Sequence, residues 1–130
     1  MKKLFVSVLL LTSLGSKAQV SQIEFTAADT LTNADTIVKN ITISNSTEAI
    51  LLQPVITRLS GTAAGKVVLL QSVDGTTFIR TDSITLSNVV TNTAFISKVS
   101  PVAPYYRIEF ISSGTTALIP RLWYYQRKNK

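Results

Sequence analysis

Residues 69–86 read LLQSVDGTTFIRTDSITL and place the pair Asp74-Gly75 between an apolar run and a Thr-rich run. An Asp-Gly pair between two strand-like runs predicts a β-hairpin with a two-residue type I′ turn, because both residues tolerate positive φ. Such a turn would pair Gln71 with Phe78 and Leu70 with Ile79. The alternative interpretation, a calcium loop, is disfavoured because calcium needs about six to eight oxygen ligands and few lie near Asp74.

Outward from this hairpin, the sequence alternates between apolar and polar residues with a period of two. The runs AILLQPVITRL, KVVLLQSV, TAFISKV, YYRIEFI and ALIPRLWYYQ are rich in residues favoured in strands, and turn-forming clusters such as SGTAAG and SSG separate them. No run after residue 18 has a helical apolar stripe. The pattern predicts an all-β fold, an antiparallel β-sandwich of seven to eight strands, either jelly-roll or immunoglobulin-like.

The first eighteen residues have the pattern of a secretory signal peptide. Met1-Lys2-Lys3 is basic, residues 4–15 are apolar, and Ser16 and Ala18 supply the small residues of a cleavage site. We therefore expect residues 1–18 to be a signal peptide and residues 19–130 to be a single β-sandwich domain with a short basic C-terminal tail. The mature protein would be exported, to the periplasm, cell surface or extracellular space, without a membrane anchor. The alternative is an uncleaved arm that packs on a partner in a virion.

The charge and the residue inventory exclude several function classes. The net charge of +6 is concentrated at the two ends of the sequence, and residues 19–120 carry six basic and seven acidic side chains. A broad nucleic-acid interface is therefore not expected. The sequence contains no His and no Cys, so thiol and imidazole catalysis and the usual zinc ligands are missing. The seven carboxylates form no spaced pair, and we expect no enzyme activity, no cofactor and no metal.

The stretch RLWYYQRK at residues 121–128 is the best candidate binding surface. Strand alternation places Leu122 and Tyr124 on one face of the strand, and on the other face it places Arg121, Trp123, Tyr125 and Arg127. Aromatic rings flanked by guanidinium groups can hold sugars, bases or a partner's side chains, and Pro120 suggests an edge strand. The alternative is that Trp123 covers the sandwich end or pairs with Tyr105 across a hairpin closed at Ser113-Gly114.

Three short segments, DTL, DTI and DSI, resemble the Asp-[Ser/Thr]-aliphatic sequon of the periplasmic O-glycosylation system of Bacteroidota. The resemblance implies Thr30, Thr36 and Ser83 as acceptor residues.

A wider resemblance extends over about 95 residues, from FTAADTLTNADTIV through the Asp-Gly hairpin to YYRIEFISSGTTALI. This region resembles small exported β-sandwich proteins of Bacteroidota and structural proteins of their phages, in which an S-x-DG-x-x-[FWY] hairpin precedes a Tyr-Tyr-Arg strand and a Ser-Gly-Thr turn. Together with the missing catalytic residues, it suggests a structural or assembly module of a virion or extracellular layer, with itself or another structural protein as partner. The alternative is an exported glycan-binding module that uses the Trp123 face.

Overall fold

A computed structural model describes residues 19–23, 29–99 and 103–128. The signal-peptide prediction for residues 1–18 lies outside the described residues. The strands in chain order are β1 (Gln19–Ile23), β2 (Leu31–Thr32), β3 (Thr36–Thr42), β4 (Thr47–Gly61), β5 (Gly65–Ser72), β6 (Ile79–Thr85), β7 (Thr91–Thr93), β8 (Ile96–Val99), β9 (Tyr105–Ser112) and β10 (Thr116–Lys128). The described part of the chain contains no α-helix, and the predicted all-β sandwich is confirmed.

The strands form two antiparallel sheets. The larger sheet has the order β1-β10-β4-β7, with β2 also paired to β10 and β8 also paired to β4; the smaller sheet has the order β3-β9-β5-β6. Strands β1 and β2 occupy one position beside β10, and β7 and β8 occupy one position beside β4. Counting each of these two pairs as one strand gives eight strands in the described residues. Numbered 1 to 8 along the chain, they have the order 1-8-3-6 in the larger sheet and 2-7-4-5 in the smaller sheet. This is jelly-roll connectivity, a choice that the sequence left open.

The core lies between the two sheets. The larger sheet contributes side chains such as Leu52, Ile56 and Leu122, and the smaller sheet contributes Leu69 and Ile108; all five are at most 2% exposed. Their alternation along the strands with exposed residues follows the strand period of two, since one face of each sheet packs on the other sheet.

Both prolines within the long strands lie opposite interruptions in a neighbouring strand. Pro54 of β4 lies between the residues that pair with β7 and those that pair with β8, and its carbonyl accepts a bond from the Ala94 N–H at 3.3 Å. Pro120 of β10 lies between the residues that pair with β2 and those that pair with β1. Proline has no N–H to donate to a ladder, so each break falls where a donor is missing.

The expectation that β10 is an edge strand, based on Pro120, is wrong. Strand β10 pairs with β4 over its whole length and with β1 and β2 on its other side, so it is an interior strand. The sequence suggested an edge because proline is rare inside sheets, but the break between β1 and β2 accommodates it.

Candidate functional site

Strand β10 presents its aromatic residues on the outer surface of the larger sheet. Leu122 is fully buried, whereas Trp123 is 40% exposed, as expected for neighbours on opposite faces of a strand. Arg121 and Arg127 are exposed, and Tyr125 is half-buried. The structure thus places Arg121, Trp123, Tyr125 and Arg127 along one strand, and Tyr124, between two of them, is half-buried and packs against the core.

Neighbouring strands extend this surface into a groove. The register places Gln53 of β4 beside Trp123 and Leu51 beside Tyr125, and Phe95, between β7 and β8, is 64% exposed. The resulting open groove has a volume of about 330 Å³. We call it the aromatic groove, and its lining residues are Leu51, Gln53, Phe95, Trp123, Tyr124 and Tyr125.

The charges beside the aromatic groove are partly compensated. The Arg127 Nε lies 2.9 Å from a carboxylate oxygen of Glu48, in a pair that is about half exposed. Among the described residues Arg121 forms no ion pair, so it is the main uncompensated cation of this face. The groove therefore has apolar walls and one cationic margin.

The alternative in which Trp123 pairs with Tyr105 across a hairpin is wrong. Tyr105 begins β9 in the smaller sheet, whereas Trp123 pairs with Gln53 and Gln22 in the larger sheet. The turn at Ser113-Gly114 carries the chain from the smaller sheet to the larger one, so β9 and β10 do not pair. The sequence did not reveal this crossing because a Ser-Gly turn suits both connections.

The loop around Asp74-Gly75 reverses the chain, but not as the predicted two-residue turn. Strand β5 pairs Gln71 with Ile79 and Leu70 with Arg80, so the loop spans residues 73–78. Gly75 has a φ of 75°, whereas Asp74 is not among the described residues with positive φ, which a type I′ turn would require. The prediction of a chain reversal holds, and the predicted register is wrong.

Hydrogen bonds to the Asp74 carboxylate explain the longer loop. Its Oδ1 accepts bonds from the backbone N–H groups of Thr76 and Thr77, both at 2.8 Å, and from the Ser72 hydroxyl at 2.7 Å. The Thr77 and Thr76 N–H groups, followed by the Ser72 hydroxyl, hold the pKa of Asp74 well below its usual range. An Asp with polar residues at these positions forms a capped loop, which satisfies more backbone donors than a tight turn.

This loop folds over the outer surface of the smaller sheet and forms a second concavity, which sequence analysis missed. A methyl group at Gly75 would lie 3.4 Å from the Tyr105 ring, and the Arg107 guanidinium carbon lies 3.8 Å from the centroid of the Phe78 ring. The cavity has a volume of about 390 Å³. We call it the Tyr105 cleft, and its lining includes Asn40, Thr42, Asp74, Gly75, Phe78, Tyr105 and Arg107.

The three residues of the glycosylation pattern are dispersed. Thr36 is exposed at the start of β3, and its N–H donates to Asp35 Oδ1 at 2.7 Å. Ser83, in β6, makes the same bond to Asp82 at 2.8 Å, and its hydroxyl accepts from Arg80. Thr30 is half-buried just before β2. Modification at these residues stays a prediction.

Two further properties bear on function. Among the described residues, no group of three or more His, Cys, Asp or Glu side chains lies close enough to hold a metal ion. The part of the chain that the structure describes contains no helix that is long and apolar enough to cross a membrane.

Comparisons with known proteins give no family assignment. No family model matches the sequence, and no curated protein matches it. A solved structure from work on Bacillus endospore appendages, described as a novel family of disulfide-linked pili, aligns with a TM-score of 0.44 and 11% sequence identity, covering 88% of this chain and 92% of that chain. A similarity of this size carries no functional assignment.

Proposed function

We propose that this protein is a non-enzymatic structural module that associates with a second copy of itself through the aromatic groove, as a component of a virion or an extracellular layer. The observation that carries the proposal is the exposure of Phe95 and Trp123 beside an apolar groove on a sheet surface.

Aromatic exposure of this kind favours association. Trp, Tyr and Arg dominate the binding energy of protein interfaces, and all three occur side by side on β10. Removing an aromatic side chain from water contributes about 25 cal/mol per Å² of apolar surface. A partner that covers this face gains that free energy without rearranging the sheet beneath it.

The shape of the face suits a second copy. Phe95 projects beside the groove that Trp123 and Leu51 help to form. In a two-fold dimer the same patch is used twice, so Phe95 of each copy would enter the groove of the other. The ion pair between Arg127 and Glu48 limits repulsion between the two copies.

Four of the seven carboxylates have structural partners, which supports a role without catalysis. Asp29, Glu48 and Asp82 are in ion pairs with Lys39, Arg127 and Lys98, and Asp74 caps a loop. These side chains have structural partners, and the sequence has no His or Cys to replace them in catalysis. Jelly rolls occur in both capsid and lectin domains, so the fold favours neither association nor glycan binding.

Light scattering of the full chain over a range of concentrations tests the proposal. We expect a dimer or larger assembly, and we expect Trp123→Ala and Phe95→Ser each to raise the dissociation constant about 30-fold, equivalent to about 2 kcal/mol. The matched control is Ile79→Ser, since Ile79 is 67% exposed on the smaller sheet, and it should leave assembly unchanged. A monomer at every concentration contradicts the proposal, and a monomer whose Trp123→Ala variant loses sugar binding supports the glycan-binding alternative.

The proposed location outside the cytoplasm rests on residues 1–18. Mass spectrometry of protein recovered from the periplasm or medium of a Gram-negative host should show a chain that begins at Gln19. A chain that begins Met1-Lys2-Lys3 in native particles would contradict cleavage and favour assembly in the cytoplasm.

A further inference from the structure

The Tyr105 cleft combines an aromatic ring with polar groups that are already fixed in place. Gly75 lies against one edge of the Tyr105 ring, and Tyr105 remains 37% exposed. Glycine suits this position because its φ of 75° lies in the left-handed region. The ring is therefore held by the loop and is accessible to a ligand.

Arg107 supplies an oriented donor. Its guanidinium stacks on Phe78 at 3.8 Å, and its Nε donates to the Asn40 Oδ1 at 3.2 Å. A guanidinium carries five N–H donors, and this bond uses one of them. Stacking and the bond to Asn40 restrict the side chain before any ligand arrives, which reduces the entropy lost on binding.

Asp74 supplies an acceptor in the same cleft. Hydrogen bonds from Ser72, Thr76 and Thr77 fix its carboxylate, and Asp74 and Arg107 both line the cavity. None of the ion pairs in the described residues joins the two side chains. The cleft therefore presents a cationic donor and an anionic acceptor that do not neutralise each other.

We propose that the Tyr105 cleft binds a neutral carbohydrate residue. A ligand with a net charge would be attracted by one of these two side chains and repelled by the other, so the pair favours neither an anion nor a cation. A sugar hydroxyl donates as well as accepts, so neighbouring hydroxyls of one sugar bond to Asp74 and to Arg107 or Asn40, while the C–H face of the sugar packs on Tyr105. The cavity volume of about 390 Å³ lies within the range of small-molecule sites, about 300–1,000 Å³.

This site is separate from the proposed assembly surface. The Tyr105 cleft lies on the smaller sheet, and the aromatic groove lies on the larger sheet. Because the outer surfaces of a sandwich face in opposite directions, a dimer formed through the groove leaves the cleft open. Failure of either proposal leaves the other intact.

Titration with sugars, followed by ¹H–¹⁵N NMR of the full chain, tests the proposal. The probes are the methyl glycosides of glucose, galactose, mannose and N-acetylglucosamine, together with maltose and cellobiose. We expect at least one of them to cause saturable shifts of the Gly75, Tyr105 and Arg107 amides. Inorganic phosphate is the anionic probe, and we expect it to cause no saturable shift there.

Variants locate the binding. Tyr105→Ala should weaken binding at least about tenfold through the loss of the ring, whereas Tyr105→Phe should retain it. Trp123→Ala, on the opposite face, is the matched control and should bind the sugar as the parent does. The proposal is overturned if no probe sugar causes saturable shifts, if phosphate alone causes them, or if folded Tyr105→Ala binds as tightly as the parent.

Discussion

Two glycines with similar positive φ angles should differ in how they tolerate a methyl group. Gly61 and Gly114 have φ values of 69° and 79°. At Gly61, which ends β4, an added Cβ would lie 2.3 Å from the Thr115 carbonyl oxygen, whereas at Gly114 no atom lies within 4 Å of it. Alanine at either position is strained by the positive φ, but only at Gly61 must the neighbouring backbone also move.

The magnitudes follow from these two terms. Positive φ costs an L-residue about 1–2 kcal/mol, and the lower entropy of the unfolded chain offsets about 0.4–1 kcal/mol of that loss, so Gly114→Ala should destabilise by about 1 kcal/mol. Forcing a methyl group into occupied space adds about 1–3 kcal/mol, so Gly61→Ala should destabilise by about 2–4 kcal/mol. For a domain of this size each kcal/mol lowers the Tm by about 4 °C.

Urea unfolding followed by circular dichroism measures both variants, and thermal melts give the Tm values. Gly75→Ala belongs with Gly114→Ala, because its methyl group would lie 3.4 Å from the Tyr105 ring, an ordinary contact distance. Equal losses at Gly61 and Gly114 would show that the approach of β4 to Thr115 does not restrict residue 61. That result would contradict the predicted difference between the two glycines.

Three other measurements test the fold and the two surfaces. Folding lowers the pKa of Asp74, so the ionised side chain stabilises the folded state. This contribution to stability is fully present above the unfolded pKa of about 3.9 and is lost as the pH falls through the folded-state pKa. Asp74→Asn should therefore be less stable than the parent at neutral pH, and the difference should shrink below about pH 4 in urea titrations; a difference that grows in acid would contradict this. Leu122→Ala should destabilise the protein by about 2–5 kcal/mol, whereas Arg121→Ala, at the exposed neighbouring residue, should change stability by less than about 0.5 kcal/mol. Similar losses of stability in urea unfolding would contradict the alternation of buried and exposed side chains along β10. The fluorescence of Trp123, the only tryptophan, should be quenched by acrylamide in dilute solution and protected at concentrations where the protein assembles. Quenching that does not depend on protein concentration would count against the groove as the interface.

The strand faces could be predicted from the sequence, but the strand neighbours could not. Along β10 the period of two is enough to separate buried Leu122 from exposed Trp123, because side-chain direction is a local property of a strand. The partners of β10 are set by contacts far apart in the sequence, such as Trp123 with Gln53. No local pattern specifies such a pair, and the propensity of Pro120 for edge strands pointed to the wrong position.

The candidate sites show the same division. The aromatic and basic residues of β10 are adjacent in the sequence, so the surface was predictable, but Phe95 reaches it from a loop nearly thirty residues earlier. The Tyr105 cleft depends on the loop at Asp74 folding over β9. The longer loop is held by hydrogen bonds to the Asp74 carboxylate and by a bond from the Gly75 N–H to the Ser72 hydroxyl. Tyr-Tyr-Arg and Asp-Gly were both visible as separate motifs, but their contact was not.

The interior position of β10 sets the order in which the larger sheet is completed during synthesis. Strands β1, β2 and β4, with which β10 pairs, all emerge from the ribosome before it. Until residues 116–128 are made, one side of β4 therefore has no partner, and its fifteen residues present unpaired backbone groups to other chains. Pairing across such long sequence separations is slow, so a chain that ends before β10 should aggregate through β4 rather than form a smaller sandwich.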